Sequence, residues 1–370
     1  MAHDESALLR SPLHHRHVAL GAKFAPFGGW EMPLEYAGGG VLKEHAAVRE
    51  SVGVFDVSHL GNAVVKGPGA ADFVNACLAG DLDRIKPGQA QYTLCCDDET
   101  GGVVDDLIAY LRGPDEVFLI PNAANTAEVV RRLGAAAPDG IDVVDEHTEW
   151  AVIAVQGRDS DATLEAAELP VGHGYMSFVE ASYAGHPVVV CRTGYTGERG
   201  YELVVPAAGA EAVWDAVMEA GGRHEIRACG LGARDTLRTE MGYPLHGQDV
   251  SLDITPVQAR LGWAVGWSKP RFWGREALTA ERERGPARML RGLVATGRGI
   301  ARPGMRVLDA SGADAGVVTS GTFSPTLRKG VALALVEPSV SAATEVGVEV
   351  RNRRESFVVT KPPFVQPSVR

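Results

Sequence analysis

The sequence predicts an α+β chain built on largely antiparallel sheets, followed by an all-β module at its C-terminal end. Three observations carry that expectation. Apolar, strand-like runs are joined by polar turn clusters into hairpins, the clearest pairing Gln91-Tyr92-Thr93-Leu94-Cys95-Cys96 with the run 103–110 across Asp97-Asp98-Glu99-Thr100-Gly101-Gly102. Helical patterns fall irregularly between such runs, without the strict strand-helix alternation of a doubly wound parallel sheet. After Trp273 the chain shifts to short apolar runs mostly separated by glycine or proline.

In order along the chain, apolar residues at helical spacing predict a helix over 41–51. Phe55-Asp56-Val57-Ser58-His59-Leu60-Gly61 is a tight segment leading into a strand over 63–66. Helices follow over 70–78 and 126–133, with strands over 116–120, 142–144 and 150–155. The stretch 176–205 is hairpin-rich, and helices are expected over 210–220 and 231–241. A charged helix over 276–284 stops at Gly285-Pro286. The C-terminal module offers strands over 290–295, 305–308, 315–319, 331–336, 346–351 and 355–360.

With 370 residues, 45% hydrophobic and 22% charged, the composition is that of a globular chain long enough for two or three domains. Apolar runs such as 150–155 and 331–336 fall far short of the roughly 20 residues a membrane helix needs, so no membrane association is expected. Met1-Ala2-His3-Asp4-Glu5-Ser6 lacks the basic and apolar regions of a secretory signal. Five cysteines without a CxxC pair point to a reducing, cytoplasmic setting and to no metal centre. His14, His15 and His17 match no metal-ligand spacing and are expected to face solvent, while His59, His173 and His246 are expected to be structural. Dinucleotide, P-loop and serine-hydrolase fingerprints are absent.

The net charge of -11 is unevenly spread. Between Lys269 and Arg306 lie ten basic and three acidic residues, a pattern suited either to an acidic partner or to a solvated basic face. Nucleic acid is disfavoured by the acidic balance of the whole and the lack of a binding motif.

Three segments hold candidate chemistry. In Gly101-Gly102-Val103-Val104-Asp105-Asp106-Leu107-Ile108-Ala109-Tyr110, two carboxylates sit inside an apolar strand. Strand alternation puts Asp106 on the face of Val104, Ile108 and Tyr110, and Asp105 on the face of Val103, Leu107 and Ala109. A buried carboxylate either takes hydrogen-bond donors or shifts its pKa upward; the bland alternative is that both cap the hairpin or meet water. In Arg192-Thr193-Gly194-Tyr195-Thr196-Gly197-Glu198-Arg199-Gly200-Tyr201-Glu202, Glu202 opens a returning strand. There it could accept two parallel N–H bonds from an amidine-like edge of a pterin or purine, with Tyr195 stacking on the same ring, or the segment is a surface turn. Arg234, near the start of the 231–241 helix, stands against the helix dipole and needs a carboxylate, from the protein or from a ligand.

Seven segments in order strongly resemble the aminomethyltransferase, or T-protein, family of the glycine cleavage system. They are Phe27-Gly28-Gly29-Trp30-Glu31-Met32-Pro33-Leu34, Phe55-Asp56-Val57-Ser58-His59, the Gly101 to Leu107 motif, Asn122-Ala123-Ala124-Asn125, the Arg192 to Glu202 loop, the Gly230 to Asp235 segment, and Thr319-Ser320-Gly321-Thr322-Phe323-Ser324-Pro325-Thr326-Leu327. The resemblance covers nearly the whole chain. It implies a three-domain cloverleaf: two interleaved α+β domains with antiparallel sheets over 1–280, and a C-terminal β-barrel-like domain over 281–370. The implied reaction moves an aminomethyl group from the lipoyl arm of H-protein to tetrahydrofolate, a co-substrate, giving 5,10-methylenetetrahydrofolate, ammonia and dihydrolipoyl H-protein. By the same resemblance Asp106 is the catalytic carboxylate, Glu202 and Arg234 contact the pterin, and Tyr92, Asn122 and Tyr195 line the folate pocket. A monomer is implied, and the acidic carrier becomes a candidate partner for the basic 269–306 segment.

The chain departs from the family pattern at Leu60, where relatives often have methionine, and in Pro362-Pro363-Phe364-Val365-Gln366-Pro367, which lacks a Tyr-Arg pair. Other folate proteins of the same fold differ at readable positions. An iron-sulfur maturation helper would carry a cysteine motif where this chain has Tyr243-Pro244-Leu245-His246-Gly247-Gln248-Asp249. A demethylase of a free small molecule would need no carrier-docking surface. A flavin-linked amine oxidase would normally add a dinucleotide-binding domain.

Overall fold

The structure, a computed structural model, describes residues 8–369. The Met1 to Ser6 start discussed above lies outside the described residues. The chain enters a six-stranded sheet with Gly53–Asp56, then leaves it to build a five-stranded antiparallel sheet. That second sheet has the order Gln89–Cys96, Val103–Gly113, Glu116–Ile120, Ala63–Lys66, Asp142–Asp145. With Trp150–Gln156 the chain returns to the first sheet, which it completes with Phe178–Tyr183, His186–Cys191, Gly200–Pro206 and the short parallel strand Arg227–Ala228. The two sheets are thus interleaved in sequence. Six strands from Met289–Ala295 to Arg353–Thr360 close into a barrel, so the α+β class with antiparallel sheets and a C-terminal barrel holds.

Amphipathic helices explain where the cores lie. One face of the six-stranded sheet packs on Ala210–Ala220 through Val213, Trp214 and Val217. Its other face joins Tyr110, Phe118 and Ile120 of the five-stranded sheet with Val48, Ala233 and Leu237 from the helices Gly40–Glu50 and Leu231–Met241. Ala70–Cys77 and Thr126–Ala136 cover the outer face of the five-stranded sheet. The helix Leu231–Met241 therefore lies between the sheets, and it also meets the barrel strand Asp314–Ser324.

Two parts of the N-terminal region were not read from sequence. Ala22–Phe27 and Trp30–Tyr36 form a hairpin, joined by parallel pairing to Leu9–Arg10. Its two-residue turn, Gly28-Gly29, has φ of +56° and +87°, a conformation open to glycine at both positions. The expectation that His14, His15 and His17 face solvent is wrong for His17. Its side chain is fully buried, with Nε2 2.7 Å from Asp56 Oδ2 and Nδ1 2.9 Å from the Tyr36 hydroxyl. Asp56 also accepts from Ser11, so the buried His17 is anchored within the protein. On the same helix His14 packs against Phe24, and its buried Nδ1 makes no hydrogen bond among the described residues.

Candidate functional site

A cavity of about 230 Å³ opens where the two sheets, the N-terminal hairpin and the helix Leu231–Met241 converge. Its lining runs from Phe27 to Trp263 along the chain and includes no barrel residue. Asp106, Glu202, Arg234, Tyr92, Asn122 and Tyr195 all line it. A bulge at Val104 breaks the expected alternation, sending Val104 to the outer core with Leu107 and Ala109. Asp106, paired opposite Leu94, reaches the cavity with Ile108 and Tyr110, while Asp105 opposite Cys95 is fully buried.

The two aspartates are held differently. Asp106 Oδ2 accepts from the Tyr92 hydroxyl at 3.0 Å and Oδ1 from Asn122 Nδ2 at 3.0 Å. Asp105 accepts from the Asn122 backbone N–H at 3.0 Å, from Asn122 Nδ2 at 2.9 Å and from Asn125 Nδ2 at 2.7 Å. Burial lifts the Asp106 carboxyl above the usual carboxylate range, against the lowering pull of Tyr92, His246 and Asn122. Burial and then the Asp106 charge lift Asp105 as well. A carboxylate that binds protons more readily than usual, facing a cavity, is suited to proton transfer.

The glycine pair before these aspartates has a packing role. A side chain at Gly102 would strike the Leu252 carbonyl, 1.9 Å from its Cβ position, and Val103 N–H donates to Ser251 O at 2.7 Å. The segment after Tyr243 is thereby pressed against the hairpin, which brings His246 to the cavity wall.

On the opposite wall, Glu202 is buried and accepts from Thr193 Oγ1 at 2.5 Å through Oε2, while Oε1 makes no hydrogen bond within the described chain. Arg234 makes no ion pair or hydrogen bond through its side chain among the described residues, and its Nη1 is buried without a partner. Its guanidinium lies 4.7 Å from the Tyr195 ring centre. Burial lowers its pKa, and the Glu202 charge only partly offsets this. The compensation expected for a cation at a helix start is therefore missing from the protein itself. The Tyr195 ring carries Arg234 and, at 5.7 Å, Tyr243, and its hydroxyl donates to Pro244 O. It braces the 243–246 loop as well as lining the cavity.

Sequence reasoning missed three wall residues. His59, expected to be structural, lines the cavity with a buried Nδ1 that has no partner, and burial and Arg234 hold its pKa down to about 3. His246 is held between Asn125 Nδ2 and Val103 O, both at 3.0 Å. Trp263 stands 69% exposed at the cavity and stacks on Tyr92 at 5.5 Å. The motif segment Phe55 to His59 was a signal for His59; nothing local marks His246 or Trp263 as wall residues.

The 269–306 segment does not form one basic face. Lys269 is buried, donating to Leu78 O and Gly80 O, with its pKa lowered by burial to about 8. Arg275 donates to a backbone carbonyl, and Arg306 pairs with Asp314 and Glu349. Arg271, Arg282 and Arg284 remain exposed on or beside the helix Arg275–Arg284. All five cysteines are buried and unpaired. Among the described residues no helix is long and apolar enough to cross a membrane, and no cluster of His, Cys, Asp and Glu has metal-site geometry.

Family models match two parts of this chain: the GCVT N-terminal domain over residues 13–269 and the glycine cleavage T-protein C-terminal barrel domain over 288–366. An aminomethyltransferase of Parafrankia sp. is 65% identical, covering 98% of this chain and 99% of its own. One from Mycobacterium tuberculosis is 56% identical over 99% of this chain and all of its own. The crystal structure of glycine cleavage system aminomethyltransferase T from Bartonella henselae superposes with a TM-score of 0.92 at 34% identity, covering 98% of this chain and 99% of that one. Fold, cavity and full-length similarity lead to one conclusion: the chain belongs to the glycine cleavage T-protein family of aminomethyltransferases.

Proposed function

We propose that this enzyme transfers the aminomethyl group from the lipoyl arm of H-protein to tetrahydrofolate, releasing ammonia and leaving 5,10-methylenetetrahydrofolate and dihydrolipoyl H-protein. The observation that carries this reading is a cavity with a proton-binding carboxylate on one wall and an uncompensated arginine beside a half-used carboxylate on the other. A pterin edge presents an amidine-like donor pair and a carbonyl acceptor. Glu202 is suited to the first and Arg234 to the second, and each would gain the partner it lacks in the protein.

Asp106 then faces the reacting nitrogens. It accepts the proton the folate nitrogen loses as that nitrogen bonds to the aminomethyl carbon and the carbon–nitrogen bond to ammonia breaks. When the carbon–sulfur bond then breaks, passing that proton to the departing lipoyl thiolate restores the negative charge that favours the cationic methylene species. Tyr92 and Asn122 hold the carboxylate in place. Arg271, Arg282 and Arg284 would favour approach of an acidic carrier, an effect mainly on association rate.

The test is ammonia release from aminomethyl-loaded lipoyl H-protein, with and without tetrahydrofolate, at low and high salt. Release that depends on tetrahydrofolate and weakens with salt supports both the transfer and the docking. Folate binding without release would remove the transferase reading.

A further inference from the structure

The Asp105 side chain is wholly buried, and the proposed chemistry gives it no task. Every hydrogen bond it makes comes from a donor: the Asn122 N–H at 3.0 Å, Asn122 Nδ2 at 2.9 Å and Asn125 Nδ2 at 2.7 Å. The amide orientations are fixed from their far sides. Asn122 Nδ2 also faces Asp106 O at 2.7 Å and Asp106 Oδ1 at 3.0 Å, where an amide oxygen would be repelled. Asn125 Nδ2 also faces His246 Nδ1 at 3.0 Å, while His246 Nε2 is engaged by Val103 O at 3.0 Å. A protonated Asp105 would aim its O–H at N–H groups only; an ionised one accepts all three bonds.

Asp106 is under no such constraint. The Tyr92 hydroxyl can donate to its carboxylate or turn and accept from its acid form, so Asp106 can carry either charge. Two carboxylates this close do not both ionise readily, and the excess proton goes to the member that can hold it.

We propose that Asp105 is a positioning residue for aminomethyl transfer: a fixed buried anion that clamps Asn122 against Asp106 and makes Asp106 the stronger proton acceptor. The proposal rests on the role given above to Asp106. Titratable groups facing the pair are Tyr92 and Cys95 from the neighbouring strand, Tyr195 from the glycine-rich loop and His246 from the 243–249 segment.

The test is a pH titration of the full-length, ligand-free enzyme carrying ¹³C-labelled aspartate carboxyls, with signals assigned through Asp105→Asn and Asp106→Asn. Burial lifts both carboxyls, so the expected result is an order: the Asp106 signal takes up its proton at the higher pH, and Asp105 is still ionised through that transition. In Asp105→Asn the Asp106 midpoint falls by about one pH unit or more. Asn125→Ala keeps both carboxyls but removes one donor from Asp105, and the transition then spreads over both signals; this variant serves if Asp105→Asn does not fold. The acid limb of the pH-rate profile moves down with the midpoint, whereas damage to shape alone lowers kcat at every pH and leaves the limb in place. Proton uptake at the higher pH by Asp105 in the wild type, or an unmoved Asp106 midpoint in Asp105→Asn, would overturn the proposal. Absence of turnover in the wild type would overturn the transfer reading alone, because the titration needs no substrate.

Discussion

The two ends of the helix Leu231–Met241 carry buried charges that are treated in opposite ways. At its start Arg234 faces the cavity with Nη1 unpartnered and no carboxylate in ion-pair contact among the described residues. Near its end, Arg238 bonds Asp249 at 2.9 Å, Asp235 at 2.7 Å, Ser320 Oγ at 2.9 Å and Tyr243 O at 3.2 Å. Glu240 is fully buried and takes Arg49 at 2.8 Å, Ser324 Oγ at 2.5 Å and Thr326 Oγ1 at 3.0 Å. The pKa directions follow. Burial wins at Arg234 and lowers it, whereas at Arg238 burial is overcome by the carboxylates of Asp235 and Asp249, which raise it. At Glu240, burial is outweighed by His45, Ser324 and Arg49, which bring the carboxyl down to about 2. Charges that hold the barrel to the helix are satisfied within the chain, while those around the cavity are left for a ligand to complete.

The largest effect that sharpens this contrast is on turnover. Asp106→Asn keeps shape and removes charge, so it should lower kcat by roughly 10²–10⁴-fold while tetrahydrofolate still binds. Single-turnover kinetics and calorimetric binding measure the two quantities separately. Loss of binding together with turnover would move Asp106 from the chemistry to the scaffold.

The next contrast is in stability, between two arginines of one helix. Arg238→Met strands the buried Asp249 carboxylate and should destabilise the fold by about 3–5 kcal/mol. Arg234→Met removes a cation that has no partner, so denaturant unfolding should show the protein unchanged or more stable, with folate affinity weakened about 10- to 100-fold. Equal destabilisation in the two variants would break the comparison.

A somewhat smaller effect separates the ends by pH. Because the folded pKa of Glu240 lies below its ordinary value of 4.5, its contribution is fully present above that pH and is lost as pH falls toward about 2. The shift corresponds to stability on the order of 3 kcal/mol. Glu240→Gln should therefore flatten the fall in stability between pH 4.5 and 2, read from urea unfolding across that window.

The same division explains what the sequence revealed. Period-two alternation separated Asp105 from Asp106 without saying which faces a pocket, a choice that came from the family resemblance, and the awkward place of Arg234 at a helix start signalled the need for a partner, because both arguments are local. His17 was misread because its partner Asp56 lies 39 positions away and no periodicity distinguishes a buried imidazole from an exposed one. The Gly28-Gly29 turn between Phe27 and Trp30 was a readable hairpin signal that went unused. Asp105 could be assigned to a face but not to a task, since Asn122, Asn125 and His246 converge on the aspartate pair only in three dimensions. The count of basic residues between 269 and 306 was accurate, yet it carried no information on where the side chains point, and Lys269 proved to be interior.

The smallest expected effect concerns the charges left outside. Arg271 and Arg284 are exposed and make no ion pair among the described residues, so they resemble Arg234 in lacking a partner but differ from it in being solvated. Solvation screens them, and replacing both with glutamate should leave stability within about 0.5 kcal/mol. The consequence should appear instead in encounter with the acidic carrier: a several-fold rise in the H-protein KM at low ionic strength that fades as the Debye length shrinks to about 8 Å near physiological salt. Steady-state kinetics at two salt concentrations measure it. A KM that rises equally at both would place these arginines in a close contact of the complex, and an unchanged KM would locate carrier docking on another face.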